Sequence, residues 1–291
     1  MRYGLLALAF ISVALGGCSE GVLDPKGPIA SAERLILFNS LGIMLAIVIP
    51  TIIATLAVAF WFRASNGRAS YQPDFTYSGR LELLVWSIPM MTVLLVGGVA
   101  WVGAHDLDPR KPIDSSATPV TVQVVSLDWK WLFIYPEQGI ASVNKLVIPV
   151  GTPIKFDLTS SSVMNSFFVP QLGSQIYTMS GMATRLYLQA DHIGTYAGLS
   201  AMYSGEGFSD MRFKVDAVTD GGFAQWVRET RETGSVLDKQ VYTDLVKPSK
   251  AVAPVTYRAV VPDLFSSIVN AGMGTQDSSL SICSTSRRAE R

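Results

Sequence analysis

Two long stretches without a charged residue constrain this chain more than any other feature of its sequence. Residues 35–62 contain no Asp, Glu, Lys or Arg, and neither do residues 83–104. Each stretch is long enough to cross a hydrocarbon core about 30 Å thick. Buried helices of a soluble protein are the alternative, which the length and the lack of charge disfavour. The sequence therefore predicts two transmembrane helices, over residues 35–62 and 81–104.

The composition agrees with a membrane protein. Hydrophobic residues make up 49% of the 291 residues and charged residues 16%, which is too apolar for an ordinary soluble domain. The formal net charge is +0, so no basic surface predicts a nucleic-acid partner. With 2 cysteines and 2 histidines, the chain offers few ligands for a metal ion.

The N-terminal residues have the pattern of a bacterial secretory signal. Residues 1–17 carry one positive charge, then an apolar stretch, then two glycines. The sequence Leu-Gly-Gly-Cys over residues 15–18 resembles a lipobox, in which the cysteine is lipidated and the chain is cut before it. We therefore predict a signal peptide over residues 1–17 and a membrane-lipid anchor on Cys18. A plain signal peptide with a chance cysteine is the alternative.

Charge predicts the orientation of the two spans. The loop of residues 63–80 contains three arginines and one acid, Asp74, and positively charged loops stay in the cytoplasm. The N-terminal segment, residues 18–34, and everything after residue 104 then lie in the periplasm. A lipidated Cys18 also has to lie outside the cytoplasm, so the two signals agree.

One carboxylate stands at the start of the second span. Glu82 follows the arginine-rich loop and precedes the uncharged stretch. Ionisable groups at the membrane edge are often functional, so Glu82 is a candidate proton-path residue. The alternative is an ordinary interfacial carboxylate, paired with Arg80.

Residues 105–219 have the pattern of a β-rich domain. Short segments that alternate in polarity or are rich in β-branched residues are separated by Gly, Pro and Ser. Many such segments predict a β-sandwich or a barrel, and periodicity does not determine the strand order. The predicted strands are residues 120–127, 146–150, 154–158, 185–189 and 211–218.

The pattern becomes helical after this domain. Phe223 and Trp226 share one helical face, and residues 235–246 form a further amphipathic stretch. We therefore predict a C-terminal helical region over residues 220–273.

The polar residues 274–291 predict a disordered tail. Cys283 lies in this tail, far from Cys18, and we interpret it as a free thiol.

Three segments together resemble subunit II of the haem-copper respiratory oxidases. They are Leu-Glu…Trp…Pro over residues 81–89, Asp-Trp-Lys-Trp over residues 128–131, and Ser-Val-Met-Asn-Ser-Phe-Phe-Val-Pro over residues 162–170. The resemblance covers most of residues 30–265. It implies a transmembrane helical hairpin that carries a periplasmic cupredoxin-like β-sandwich in the bacterial inner membrane.

The resemblance also identifies the positions of a copper centre. Cytochrome c-oxidising members of the family bind two coppers through two histidines, two cysteines, a methionine and a backbone carbonyl. Hydroxyl, amide and phenyl groups are poor ligands beside thiolates and imidazoles. We therefore predict that this chain binds no metal. Here the ligand positions are occupied by Asn165 and Phe208 for histidine, Ser200 and Ser204 for cysteine, Met202 for the carbonyl donor, and Met211, which is retained.

A subunit II without these ligands resembles the quinol-oxidase branch of the family. Residues 129–139 and 172–177 look like the subunit of the bo-type ubiquinol oxidases. The resemblance implies a proton-translocating complex that oxidises ubiquinol and reduces oxygen to water. In such a complex the haems, the remaining copper and most of the quinol site lie in the large haem-copper catalytic subunit.

This chain would then be a non-catalytic subunit that binds no cofactor and contacts the large subunit and the other oxidase subunits. No residue is predicted to be catalytic. Trp129 and Trp131, which flank the copper in copper-bearing relatives, are interpreted as aromatic core or subunit contact. Glu82 would lie near the mouth of a proton channel of the large subunit. A membrane-anchored lipoprotein binding module with no respiratory role is the alternative.

Overall fold

The computed structural model describes residues 21–70 and 73–273. Cys18, Cys283, the predicted signal peptide and the predicted tail therefore lie outside the described residues. The chain divides into two compact units. One unit is Ala32–Asp108, and the other joins the residues up to Ser31 with those from Pro109 onward.

Two helices form the smaller unit, α1 (Pro28–Trp61, whose first residues belong to the other unit) and α2 (Gly79–Asp106). Both are long and apolar enough to cross a membrane, and the most apolar stretch of each is 0% buried. A core helix of a soluble protein would be largely buried. The exposed apolar side chains are stable in lipid but not in water, so both helices have the character of membrane anchors.

The two helices approach each other at a glycine. A Cβ atom added at Gly103 of α2 would lie 2.7 Å from the Cδ1 atom of Ile36 in α1. Small residues let membrane helices pack closely, so Gly103 fits the contact and a larger residue would push Ile36 aside.

The larger unit is a β-sandwich with a C-terminal extension. The strands are β1 (Val120–Leu127), β2 (Lys130–Tyr135), β3 (Ile140–Val143), β4 (Lys145–Pro149), β5 (Ile154–Ser160), β6 (Asn165–Val169), β7 (Gly173–Thr178), β8 (Thr184–Leu188), β9 (Gly194–Ser200), β10 (Arg212–Val218), β11 (Ser235–Leu237) and β12 (Val255–Val260). One sheet has seven strands in the order β11-β12-β3-β2-β1-β5-β8, and the other has five in the order β4-β10-β9-β6-β7. The helices of the extension are α3 (Asp220–Thr233), α4 (Lys239–Val246) and α5 (Leu264–Met273).

An aromatic cluster fills the space between the sheets. Trp131 and Phe133 of β2 point to the same face, because residues two apart in a strand do so. They meet Phe167 of β6, whose ring stacks on Phe213 with 5.1 Å between centroids. Phe156 completes the contact from β5, 5.4 Å from the Phe167 ring. All five side chains are at most 4% exposed, so this cluster is the core of the sandwich.

The opposite face of β1 and β2 is also buried. Val125 and Leu132 point away from the sandwich core and pack in a second cluster with Leu264, Phe265 and Ile268 of α5. The C-terminal extension therefore covers the outer face of the seven-stranded sheet.

The extension contains strands as well as helices, whereas the sequence predicted a C-terminal helical region over residues 220–273. Thr219 and Asp238 cap α3 and α4, since their side chains accept hydrogen bonds from backbone N–H groups three residues on. Between the helices, Ser235–Leu237 forms β11, which pairs in parallel with β12. The side chain of Leu237 is buried in the second cluster, and this long-range packing overrides the local helical pattern.

Residues 21–31 belong to the sandwich unit. The Lys26 N–H donates to the Gln171 carbonyl at 2.7 Å, and the Asp191 N–H donates to the Lys26 carbonyl at 2.7 Å. A Cβ on Gly27 would collide with the carbonyl oxygen of Gln189. The chain therefore leaves this unit within the first turn of α1 and re-enters it after α2.

Truncation of Phe167 tests the aromatic core. Phe167→Ala is expected to destabilise the outer domain by about 3–5 kcal/mol, because it removes a large buried ring and leaves a cavity. The measurement is denaturant unfolding of the purified chain, followed by near-ultraviolet circular dichroism. Phe168→Ala, on the same strand but on its partly exposed face, is the matched control and should cost far less. Equal losses for the two variants would contradict this assignment of the core.

Candidate functional site

The positions that the resemblance aligns with copper ligands lie at one end of the sandwich, on two adjacent strands and one loop. Asn165 begins β6, Ser200 ends β9, and the loop of residues 201–211 connects β9 to β10. Strands β6 and β9 are paired, with Phe167 opposite Ser200. The fold therefore brings together positions that lie far apart in sequence.

Three of these positions form a hydrogen-bonded cluster. The Ser200 hydroxyl lies 3.1 Å from the Asn165 amide oxygen and 3.3 Å from the Met202 carbonyl, and both are acceptors. Its oxygen accepts from the Ser166 N–H at 3.4 Å. Asn165 and Ser200 are nearly fully buried. The serine at the first cysteine position is thus held by its neighbours and does not point into an open site.

The remaining positions form a second, looser contact. The Ser204 hydroxyl lies 4.0 Å from the Met211 sulfur, a distance typical of a weak interaction. Met211 is buried and belongs to the sandwich core. Phe208 packs edge-on against Tyr203 with 5.7 Å between ring centroids.

This set of atoms does not fit a copper centre. Copper sites of this kind need thiolates and imidazoles, whereas the positions hold an amide, two hydroxyls, two thioethers and a phenyl ring. Across residues 21–70 and 73–273, no three His, Cys, Asp or Glu side chains come together as a metal site. The arrangement can maintain the shape of the loop, but it has no group that can accept an electron.

The side chain of Trp129 packs against this loop. Its φ of 63° lies in the left-handed region, an outlier for a bulky side chain, and the two-residue turn between β1 and β2 imposes it. The indole N–H donates to the Ser204 carbonyl at 3.0 Å. Cβ atoms at Gly205 and Gly207 would crowd the ring, at Gly207 to the point of collision, so both glycines are required for this packing.

Trp131 lies entirely in the core. It is 0% exposed and packs edge-on against Phe167 and Phe213. Of the two interpretations offered for this tryptophan, the structure favours aromatic core, because no part of the side chain reaches the surface of the chain. Its indole nitrogen has no hydrogen-bond partner within the described residues.

Lys130 is a residue that the sequence did not single out. It is 1% exposed, and its ammonium donates to the Lys247 carbonyl at 2.8 Å, the Ser249 hydroxyl at 2.7 Å and the Asp128 carbonyl at 3.3 Å. Burial lowers the pKa of the Lys130 ammonium, and the negative charge of Asp128 opposes part of that shift. The available signal was a lysine between two tryptophans, Trp129 and Trp131, because a lysine beside a core position is buried only with polar partners.

Glu82 lies in the first turn of α2, on an exposed helix surface. Arg80 is two residues away, and side chains at that spacing do not face each other on a helix. Within the part of the chain that the structure describes, no ion pair joins the two. The geometry thus disfavours the interpretation of Glu82 as a carboxylate paired with Arg80.

Two protein-family models match this chain. Residues 136–218 match the periplasmic domain of cytochrome c oxidase subunit II, and residues 231–276 match the COX aromatic rich motif. The first match covers β3 to β10, and the second covers the C-terminal extension from the last turn of α3 onward. Together with the structure they confirm the predicted fold, in which two apolar helices precede a cupredoxin-like β-sandwich.

Relatives match over most of the chain. The cytochrome bo(3) ubiquinol oxidase subunit 2 of Pseudomonas aeruginosa is 49% identical over 267 residues, which cover 90% of this chain and 81% of the relative. The ubiquinol oxidase subunit 2 of Acetobacter aceti is 48% identical over 271 residues, 92% of this chain and 87% of the relative. The quinol oxidase subunit 2 of Bacillus subtilis is 39% identical over 249 residues, which cover 84% of this chain and 78% of the relative. At such identity and coverage the resemblance read from the motifs is confirmed, and the chain belongs to the ubiquinol oxidase subunit 2 family.

Proposed function

We propose that this chain is subunit II of a proton-translocating ubiquinol oxidase, which oxidises ubiquinol and reduces oxygen to water. The observation that carries the proposal is the hydrogen-bonded cluster of Asn165, Ser200 and Met202 at positions where the copper-bearing branch has metal ligands. A domain with this cluster has no relay for electrons from a soluble cytochrome. A lipid-soluble quinol needs no such relay, because it reaches the membrane-embedded partner directly.

The redox chemistry belongs to the partner in this proposal. The haems, the remaining copper and most of the quinol site lie in a large haem-copper catalytic subunit, and this chain contributes structure and assembly. Residues 35–62 and 81–104 contain no histidine that could hold a haem. His105 lies in the last turn of α2, with its Nδ1 atom 2.8 Å from the Trp101 carbonyl oxygen.

The chain is proposed to be a two-pass protein of the bacterial inner membrane, with both ends in the periplasm. The arginine-rich loop of residues 63–80 supports a cytoplasmic turn between the helices. The contacts of residues 21–31 with the sandwich unit support a common side for the N-terminal segment and the outer domain. A lipidated Cys18 would add a second attachment on that side.

Co-purification tests the main proposal. The tagged chain, extracted in mild detergent, is expected to bring down a haem-bearing large subunit and ubiquinol oxidase turnover. The near-infrared absorption band of a mixed-valence copper pair should be absent, because the ligand positions hold Asn165, Ser200, Ser204 and Phe208. Recovery of the chain without haem would favour the alternative, a lipoprotein binding module. The sequence identity to ubiquinol oxidase subunits disfavours that alternative. A near-infrared band would contradict the loss of the copper centre.

Lipidation of Cys18 is tested by mass. Intact-mass analysis of the mature chain is expected to show loss of residues 1–17 and the added mass of acyl chains. Cys18→Ser should lack the acyl mass yet remain in the membrane, because two spanning helices anchor more strongly than acyl chains do. Cys283→Ser is the matched control and should keep the acyl mass. A mature chain that still carries residues 1–17 would refute the lipobox.

A proton-path role for Glu82 is tested by removing its charge. The exposed carboxylate lies in the first turn of α2, next to the arginine-rich loop, and a carboxylate can attract protons and exchange them. Glu82→Gln keeps size and hydrogen bonding but does not titrate. We expect ubiquinol oxidase turnover to fall by about tenfold, the lower end of the rate effect of electrostatic attraction.

Asp74→Asn removes the exposed acid of the same loop and serves as the matched control, with turnover close to that of the unaltered complex. Haem content and subunit composition should be equal in all three preparations. If the fully assembled Glu82→Gln complex kept its turnover across the pH range, Glu82 would have no role in proton entry.

A further inference from the structure

A short segment of the C-terminal extension crosses the end of the sandwich where the loop of residues 201–211 lies. This segment, residues 247–252, follows α4 on the way to β12 and is named the strap. Apart from its junction with α4, its polar contacts reach three separate elements of the sandwich. They are Lys130 of β2, Glu206 of the loop and Asn144, whose side-chain NH₂ donates to the Val252 carbonyl at 2.8 Å.

The first contact is made by the ammonium group of Lys130. The Lys130 Nζ has three N–H donors and three oxygen acceptors within 3.3 Å, two of them from the strap. No carboxylate pairs with this ammonium among the described residues. A buried charge is tolerated only when its hydrogen bonds are satisfied. Lys130 therefore needs the two acceptors of the strap, and those acceptors need the ammonium as their donor.

The second contact joins the strap to the loop. The Lys250 Nζ lies 2.8 Å from a Glu206 carboxylate oxygen and 5.8 Å from the centroid of the Trp129 ring. The Trp129 ring in turn supports the loop through its hydrogen bond to the Ser204 carbonyl and its packing against Gly207. Trp129 is therefore in contact with the loop and lies beside the strap.

We propose that the strap fastens the loop of residues 201–211, with Lys130 and Lys250 as the positioning residues, so that the loop keeps one shape without a bound metal ion. Lys130 attaches the strap to the sandwich, and Lys250 attaches the loop to the strap. If Lys130 loses its ammonium, the strap carbonyl and hydroxyl lose their donor. The strap then detaches, and Lys250 no longer holds Glu206.

Hydrogen–deuterium exchange of the detergent-purified complex tests this mechanism peptide by peptide. Lys130→Met keeps the length of the side chain and removes the ammonium. Amide exchange is expected to accelerate at least tenfold in the strap and in the loop, with β5 and β8 unchanged. Lys247→Met is the matched control, because that side chain is exposed and pairs with Asp244 while its backbone carbonyl still accepts from Lys130. It should leave both segments unchanged.

Lys250→Met provides a second test that does not disturb a buried group. It is expected to accelerate exchange in the loop and to leave β5 and β8 unchanged, whether or not Lys130→Met yields a folded chain. Unchanged exchange of the loop in Lys250→Met would overturn the proposal. So would a Lys130→Met complex in which β5 and β8 accelerate as much as the loop, since that result means general destabilisation. These readouts do not depend on quinol turnover.

Discussion

Burial of β1 and β2 on both faces is the constraint on which the outer unit depends. Phe133 points into the sandwich core, while its neighbour Leu132 points into the second cluster. Full burial of one such side chain contributes about 1.5–3 kcal/mol, so a bare outer face would lose several of these contributions and expose a continuous apolar patch. The sandwich therefore needs a cover, and α5 with β11 and β12 provides it. The second family match, over residues 231–276, coincides with most of this cover.

The same constraint explains which elements could be predicted from sequence. The predicted strand over residues 120–127 has the bounds of β1. Strand β2, Lys-Trp-Leu-Phe-Ile-Tyr, was not predicted, because a strand buried on both faces lacks the alternation that identifies a half-exposed strand. Strand β11 lies inside a stretch predicted as helix. It could not be predicted from local sequence, because it forms by pairing with β12, about twenty positions further on. Apolar helices without charge, in contrast, need no tertiary context to be recognised.

At the candidate site, the sequence identified the positions but not their present interactions. The resemblance aligned Asn165, Ser200 and Met202 with copper ligands, and the structure brings these three within hydrogen-bonding distance. No local pattern could have indicated the Ser200–Asn165 hydrogen bond, because strands β6 and β9 must first pair. Lys130 was missed for a related reason, since its acceptors lie more than a hundred residues away at Lys247 and Ser249.

A loop held by metal–ligand bonds and a loop held by hydrogen bonds need different amounts of support from the residues around them. Metal–ligand bonds hold a loop from inside, through a few strong and directional contacts. A cluster of neutral groups such as Asn165 and Ser200 supplies weaker contacts, about 0.5–1.5 kcal/mol each, and so leaves more of the restraint to the surroundings. Trp129 packs against the loop from the sandwich and Lys250 contacts it from the strap. Packing by Trp129 and the charge of Lys250 can thus restrain such a loop from outside, where metal–ligand bonds would restrain it from inside.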